Sequence, residues 1–174
     1  GDLLPELDAY IKESGGKKSP LWDYLGALDA DAANEELSNG VRLACLIYPF
    51  FFSLLRQEER RSPNGRVNRQ HVARRALHAV TQRLHIPKAT LYTAQALMDV
   101  PRRFADSPTK GRGRRFLSHP SFPEALAFQR ILLTAEKADH SCLDEWQALY
   151  AQQAGQRAQR ETRDDTDAPR DAEK

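Results

Sequence analysis

The chain has 174 residues, 40% hydrophobic and 29% charged, with a formal net charge of +2, enough apolar content to bury one core without disulfides or metals. Its charge is segregated: residues 56–118 hold 15 Lys or Arg against 4 Asp or Glu, the segment before them 4 against 9, and the segment after them 7 against 11. Such a cationic middle repels itself on folding and points to a polyanionic partner, while the longest apolar run, Val41 to Leu55 with Arg42 and Pro49 inside it, falls short of the ~20 residues that span a bilayer and excludes a membrane class.

Helical periodicity runs through the whole chain. Gly1-Asp2-Leu3-Leu4 has neither a basic n-region nor an initiating Met and is expected to be a boundary inside a longer protein. Leu3, Leu4, Leu7, Tyr10 and Ile11 form a first stripe, closed by Gly15-Gly16. Ser19 offers an N-cap and Pro20 a first turn for a helix carrying Leu21, Trp22, Leu25 and Leu28. Residues 41–56 are apolar all round and predict a central helix kinked at Pro49. Ser62-Pro63-Asn64-Gly65 reads as a turn, and Asn68 as the cap of a helix to Leu84 whose inner face is Val72, Ala73, Ala76, Leu77, Val80 and Leu84. Ile86-Pro87 starts the next helix, through Leu91, Ala94, Leu97 and Met98 to an interruption at Pro101. Arg114 to Ser118 makes a short helical turn, and Ser121-x-x-Glu124 a capping box before Ala125, Phe128, Ile131 and Leu132. Ser141 caps a last helix with Leu143, Trp146, Leu149 and Tyr150, and from residue 152 the loss of large apolar side chains predicts disorder. The expected fold is all-α, an irregular bundle of about seven or eight helices with a disordered C-terminal tail: a helical body-like part over 1–66, a basic helical arm over 67–151, and the tail over 152–174.

No catalytic motif emerges. The chain contains no Gly-x-Ser-x-Gly elbow, Walker loop or His-Glu-x-x-His, and Asp29-x-Asp31 and Asp165-x-Asp167, which have metal-binding spacing, read as solvated charges at a helix end and in the tail. His71, His78 and His85 recur every seven residues, ~10.5 Å along a helix, too far apart to share one zinc; neither a metal nor another cofactor is expected in this chain. Cys45 and Cys142 form no CxxC pair, which favours buried thiols in a reducing compartment, the cytoplasm. The candidate binding residues are basic. Arg69, Arg74, Arg75, Arg83 and Lys88 belong to a helical hairpin, where a solvated face is the ordinary explanation. Arg102, Arg103, Lys110, Arg112, Arg114 and Arg115 crowd into fourteen residues beside Phe104 and Phe116. The arginine fork suits bidentate phosphate contacts and stacking on bases, and glycines at 111 and 113 let backbone amides approach an anion. Arginine-rich loops also dock acidic proteins, so nucleic acid and a protein partner both stay open. Trp22, Trp146 and Phe50 to Phe52 read as core, and His119 as ordering the turn before the helix at 124 rather than touching a ligand.

Leu84-His85-Ile86-Pro87-Lys88, Val100-Pro101-Arg102-Arg103 and Gly113-Arg114-Arg115-Phe116-Leu117-Ser118-His119-Pro120-Ser121-Phe122 together resemble the C-terminal region of bacterial poly(A) polymerases. The N-terminal Leu3 to Leu7 and the Tyr48-Pro49 helix resemble the helical body ahead of that arm, and the likeness spans residues 3–150. Gly111 stands where the family often has a base, and residues 153–174, with five basic and six acidic side chains, lack the cationic tail of some members. The resemblance implies an RNA-binding C-terminal part of a polynucleotide adenylyltransferase that adds adenylates to RNA 3′ ends in RNA processing. It further implies that the catalytic head, with its ATP and Mg²⁺, lies elsewhere and that this part is inactive alone. It implies single-stranded RNA 3′ ends as partner, RNA-decay or RNA-chaperone proteins as further partners, and RNA contacts from Arg102, Arg103, Lys110, Arg112, Arg114, Arg115, Lys88, Arg74, Arg75 and Arg83. A tRNA CCA-adding nucleotidyltransferase and a basic protein-interaction module are the alternatives.

Overall fold

The computed structural model describes residues 4–33, 35–62, 66–82 and 84–166. Pro63 to Gly65 of the expected turn, Leu3 and Arg83 lie outside these residues, as does the Val80 side chain. Among the described residues the chain forms nine α-helices, one 3₁₀ turn and no strand: α1 (Pro5–Glu13), the 3₁₀ turn (Gly16–Lys18), α2 (Leu21–Ala32), α3 (Asn39–Arg61), α4 (Arg69–Thr81), α5 (Lys88–Leu97), α6 (Val100–Phe104), α7 (Gly111–Leu117), α8 (Phe122–Ala135) and α9 (Ser141–Thr166). None of these helices among the described residues is long and apolar enough to cross a membrane. The all-α class agrees with the helical periodicity.

The apolar run dictates the centre. Ser38 starts α3 by accepting the Val41 N–H at 3.3 Å, Arg60 and Arg61 close it where the helix dipole favours cations, and Pro49 is buried inside it. α3 packs against α2, α4, α5 and α8; α2 lies along α8, α4 along α5, while α6 meets α7 and α8, and α7 meets α9. Gly40 permits the close α3–α5 approach, since a Cβ there would sit 2.4 Å from Thr93 Cγ2. One buried cluster runs from Tyr24 through Phe51, Val72, Leu97 and Phe128 to Trp146, so the segments on either side of residue 66 share a core.

Polar ties reinforce the α2–α8 pair. Arg130 grips Asp31 with two bonds, Nε to Oδ1 at 2.7 Å and Nη2 to Oδ2 at 2.8 Å, and reaches Glu35 at 2.6 Å. Tyr24 donates its hydroxyl to Glu136 at 2.7 Å; burial, with Glu136 beside it, pushes that phenol well above its ordinary pKa. Asp31 is therefore a structural counter-ion and not the solvated charge its spacing predicts, because α8 brings a guanidinium to it from 99 residues away.

Several local expectations change for identifiable reasons. Pro101 opens α6 instead of interrupting a longer helix, occupying the first turn where its missing N–H costs nothing. The Ser19 hydroxyl caps no helix, being engaged by Ser14 at 2.6 Å. Ser121 forms no capping box, because its hydroxyl goes to His119 Nδ1 at 2.6 Å. Ser141 is the first residue of α9 and not its cap: it donates its N–H to the Asp139 carboxylate at 3.0 Å and its hydroxyl to the same carboxylate. Trp22 is 48% exposed, its ring N–H satisfied by the Gly16 carbonyl, and Phe52 is 36% exposed beside Phe51, which is fully buried. Cys45 is buried but Cys142 is exposed. α9 continues to Thr166, past residue 152, where the alanines, glutamines and arginines carry high helix propensity; residues 167–174 are outside the described residues.

Candidate nucleic-acid interface

α4 and α5 form the first part of the basic surface. Asn68 accepts the His71 N–H at 3.1 Å and fixes the start of α4; Val72, Ala73, Ala76 and Leu77 are buried, which leaves Gln70, His71, Arg74, Arg75 and His78 exposed on the outer side. α5 begins at Lys88 directly after Pro87. Between the two helices lies a groove of 460 Å³ lined by Arg74, Arg75, Lys88, His71, His78, Leu77, Leu91, Tyr92 and Gln95. Two hairpin cations are already committed. Arg69, with only 20% of its side chain exposed, bonds Asp99 at 3.1 Å and lies over the Phe51 ring, while Arg75 bonds Glu58 at 2.7 Å. That bond holds the Glu58 carboxyl below its ordinary pKa.

The second part is built by α6 and α7. Arg102, Arg103, Arg112 and Arg115 line one cavity of 450 Å³ with Asp99, Asp106, Phe116 and His119. The arrangement follows from helical phase: Arg112 and Arg115, three apart, share one face of α7, His119 follows in the bend after the helix, and Phe116 points the same helix into the core. Arg114 is on the other side of α7 and Lys110 sits at its N-cap in extended backbone; neither lines the cavity. Arg102 is 3.9 Å from Asp99, a weak exposed contact, and Arg103 lies 5.2 Å over the Phe116 ring, an interaction that fixes the guanidinium without neutralising it.

Phe104 and Phe116 are core residues, not surface stacking groups. With Phe122 and Trp146 they make an aromatic knot with centroid separations of 5.1–6.0 Å, and Tyr150 joins it 5.0 Å from Phe122. The knot ties α6, α7, α8 and α9 together and sets the floor under the arginines. Gly113 has a packing role: a Cβ would fall 1.9 Å from the Ser107 carbonyl oxygen. Gly111, at φ +53, provides the left-handed entry into α7. His119 Nδ1 accepts the Ser121 N–H at 3.2 Å and pairs with the Ser121 hydroxyl at 2.6 Å, which ties the ring to the start of α8. Ordering of the turn is thus visible, although the ring also borders the cavity.

The two parts are continuous. A depression of 350 Å³ lined by Gln70, Arg74, Tyr92, Gln95, Ala96, Asp99 and Arg103 shares Arg74, Tyr92 and Gln95 with the groove and Asp99 and Arg103 with the cavity. Arg74, Arg75, Lys88, Arg102, Arg103, Arg112 and Arg115 therefore border one strip. Tyr92 and Asp99 are the members that composition does not single out, yet Lys88, Tyr92, Gln95 and Asp99 recur at i, i+4, i+7 and i+11, the spacing of one helical face. His71, His78 and His85 are exposed, and among the described residues no group of three or more His, Cys, Asp or Glu side chains is placed to hold a metal ion.

The family described as the polymerase A arginine-rich C-terminus matches residues 67–174, from the residue before the α4 cap onward. No curated protein and no solved structure matches the chain.

Proposed function

This chain belongs to the polymerase A arginine-rich C-terminus family, and on that premise we propose that it holds single-stranded RNA for a polynucleotide adenylyltransferase that extends RNA 3′ ends in the cytoplasm. The observation that carries the reading is the convergence of Arg102, Arg103, Arg112 and Arg115 on one cavity, joined to the α4/α5 groove. Adenylyl transfer, with its ATP and Mg²⁺, belongs to a nucleotidyltransferase head outside this sequence. The strip's task is retention. Guanidinium contacts to phosphate carry no sequence information, which suits an enzyme that must accept many 3′ ends and keep hold of each while it advances.

Among the described residues, Arg74, Lys88, Arg103, Arg112 and Arg115 form no ion pair with a carboxylate and Arg102 has only its weak 3.9 Å contact with Asp99, which leaves six strip cations available to phosphate. If all six neutralise phosphates, log K for a short single-stranded RNA falls with log salt at a slope of roughly −4. Replacing Arg102, Arg103, Arg112 and Arg115 with Ala together leaves two of them and a slope of roughly −1. Fluorescence anisotropy of the 174-residue chain at several salt concentrations reads both. Absence of binding at low salt, or a slope indifferent to the four substitutions, refutes the reading. Capture of an acidic protein that survives nuclease treatment, with no RNA binding, would assign the strip to protein docking instead.

A further inference from the structure

We propose that Tyr92 is a stacking platform for one base of the bound strand, set midway along the strip so that the phosphates on either side fall to Arg74 and Lys88 in one direction and to Arg103 in the other. The proposal rests on the RNA reading above and deepens it, adding a contact to the bases where the arginines supply contacts to the backbone.

Tyr92 is 70% exposed, more than Trp22 or Phe52. A single exposed ring needs no explanation by itself; its surroundings distinguish this one. Trp22 spends its N–H on Gly16, and Phe52 stacks on Tyr48 under Arg56. Tyr92 has no hydrogen bond or ring partner among the described residues, and it borders three adjoining depressions: the α4/α5 groove, the middle depression and a small recess beside Arg103 and Phe116. The local sequence explains the placement. Lys88, Tyr92 and Gln95 occupy successive turns of one α5 face, while Leu97 and Ala94 on the opposite side are buried. A cation, a ring and an amide then stand in a row. Arg74 approaches that row from α4 and Arg103 from α6.

That order matches a single-stranded polynucleotide, in which charge and flat apolar surface alternate. Every base has a π-face, so one tyrosine serves any sequence, and the Gln95 amide beside it offers both donors and an acceptor to a base edge. An acidic peptide could engage the same cations, but it has no flat heterocycle to place on the ring.

The probe is a short oligoadenylate carrying one 2-aminopurine, whose fluorescence responds to stacking, titrated into the full chain at fixed salt. Tyr92→Ala is expected to weaken binding by about 5- to 150-fold, to abolish the protein-dependent fluorescence change, and to leave both the salt slope and the melting temperature as in the unaltered chain, because the ring is exposed and uncharged. Tyr92→Phe keeps the ring and is expected to bind like the unaltered chain. Unchanged affinity in Tyr92→Ala, a changed salt slope, or equal losses in the Ala and Phe variants would each overturn the stacking role. In any of those cases the arginine-dependent RNA binding persists and the reading of the strip survives. If the unaltered chain binds no RNA even at low salt, the strip reading itself is what has failed.

Discussion

Gly113→Ala is the substitution whose outcome local propensity and tertiary packing predict with opposite sign. On an isolated helix, alanine in place of glycine stabilises by up to ~1 kcal/mol. In the folded chain the new methyl would lie 1.9 Å from the Ser107 oxygen, 2.7 Å from its carbonyl carbon and 3.1 Å from Pro108 Cα. These are backbone atoms beside a buried proline, not the tip of a flexible side chain. Restoring an ordinary contact of 3.4 Å requires α7 and the 105–110 connection to part by about 1.5 Å. Overpacking of this kind costs about 1–3 kcal/mol, at least as much as the propensity gain, and the net is a loss of up to about 2 kcal/mol. The same displacement moves Arg112 and Arg115 relative to Arg102 and Arg103. RNA affinity should therefore drop although no charge has been removed. Gly155→Ala is the control: a Cβ there meets nothing within 4 Å, and the variant should be unchanged or slightly more stable. Chemical denaturation with a parallel RNA titration tests both. A Gly113→Ala chain as stable as the Gly155→Ala chain, with unaltered RNA binding, would refute the claim that this contact positions α7.

Arg130→Met leaves the Asp31 carboxylate, 15% exposed, without its partner and should cost about 2 kcal/mol in urea unfolding; adding Asp31→Asn should recover part of that loss, whereas strict additivity would deny the coupling. Burial pushes the Cys45 thiol up to about 12, so a thiol reagent should label Cys142 alone in the native chain and both cysteines after denaturation. Glu58 is held below its ordinary value by Arg75, so its contribution is complete above the unfolded carboxyl pKa of ~4.3 and is lost as pH falls through the lower folded value. The melting difference between the unaltered chain and Glu58→Gln should therefore be present at neutral pH and close in acid, and a difference that grows in acid would contradict the pairing.

Helix positions were legible because their signals are local. The Asn68 cap, the apolar run that becomes α3 and the buried face Val72-Ala73-Ala76-Leu77 each follow from spacing within a few residues. What could not be read is pairing across the chain. Asp31 looks solvated until α8 delivers Arg130, and Ser121 looks like a cap until His119 claims its hydroxyl. Trp22 and Phe52 fit an apolar stripe by number, yet sit at its exposed margin.

The candidate site divides along the same line. Density of arginine between residues 102 and 115 is a compositional fact, but which of them converge depends on the phase of a seven-residue helix, and that phase separates Arg114 from Arg112 and Arg115. The aromatic side chains near the cluster were visible as well. Which way they face was not, since Phe104 and Phe116 turn inward while Tyr92, in a helix marked by its leucines, is the ring exposed along the strip.

The aromatic knot has a thermodynamic corollary. α6 and α7 contain five and seven residues, well below the ~12–15 at which an isolated helix becomes even marginal in water, so they persist only while Phe104 and Phe116 stay lodged against Phe122 and Trp146. The capacity to clasp a polyanion is thus a property of the folded cooperative unit: heat or denaturant should abolish it in the same transition that releases the tryptophan, with no partly melted form still able to bind.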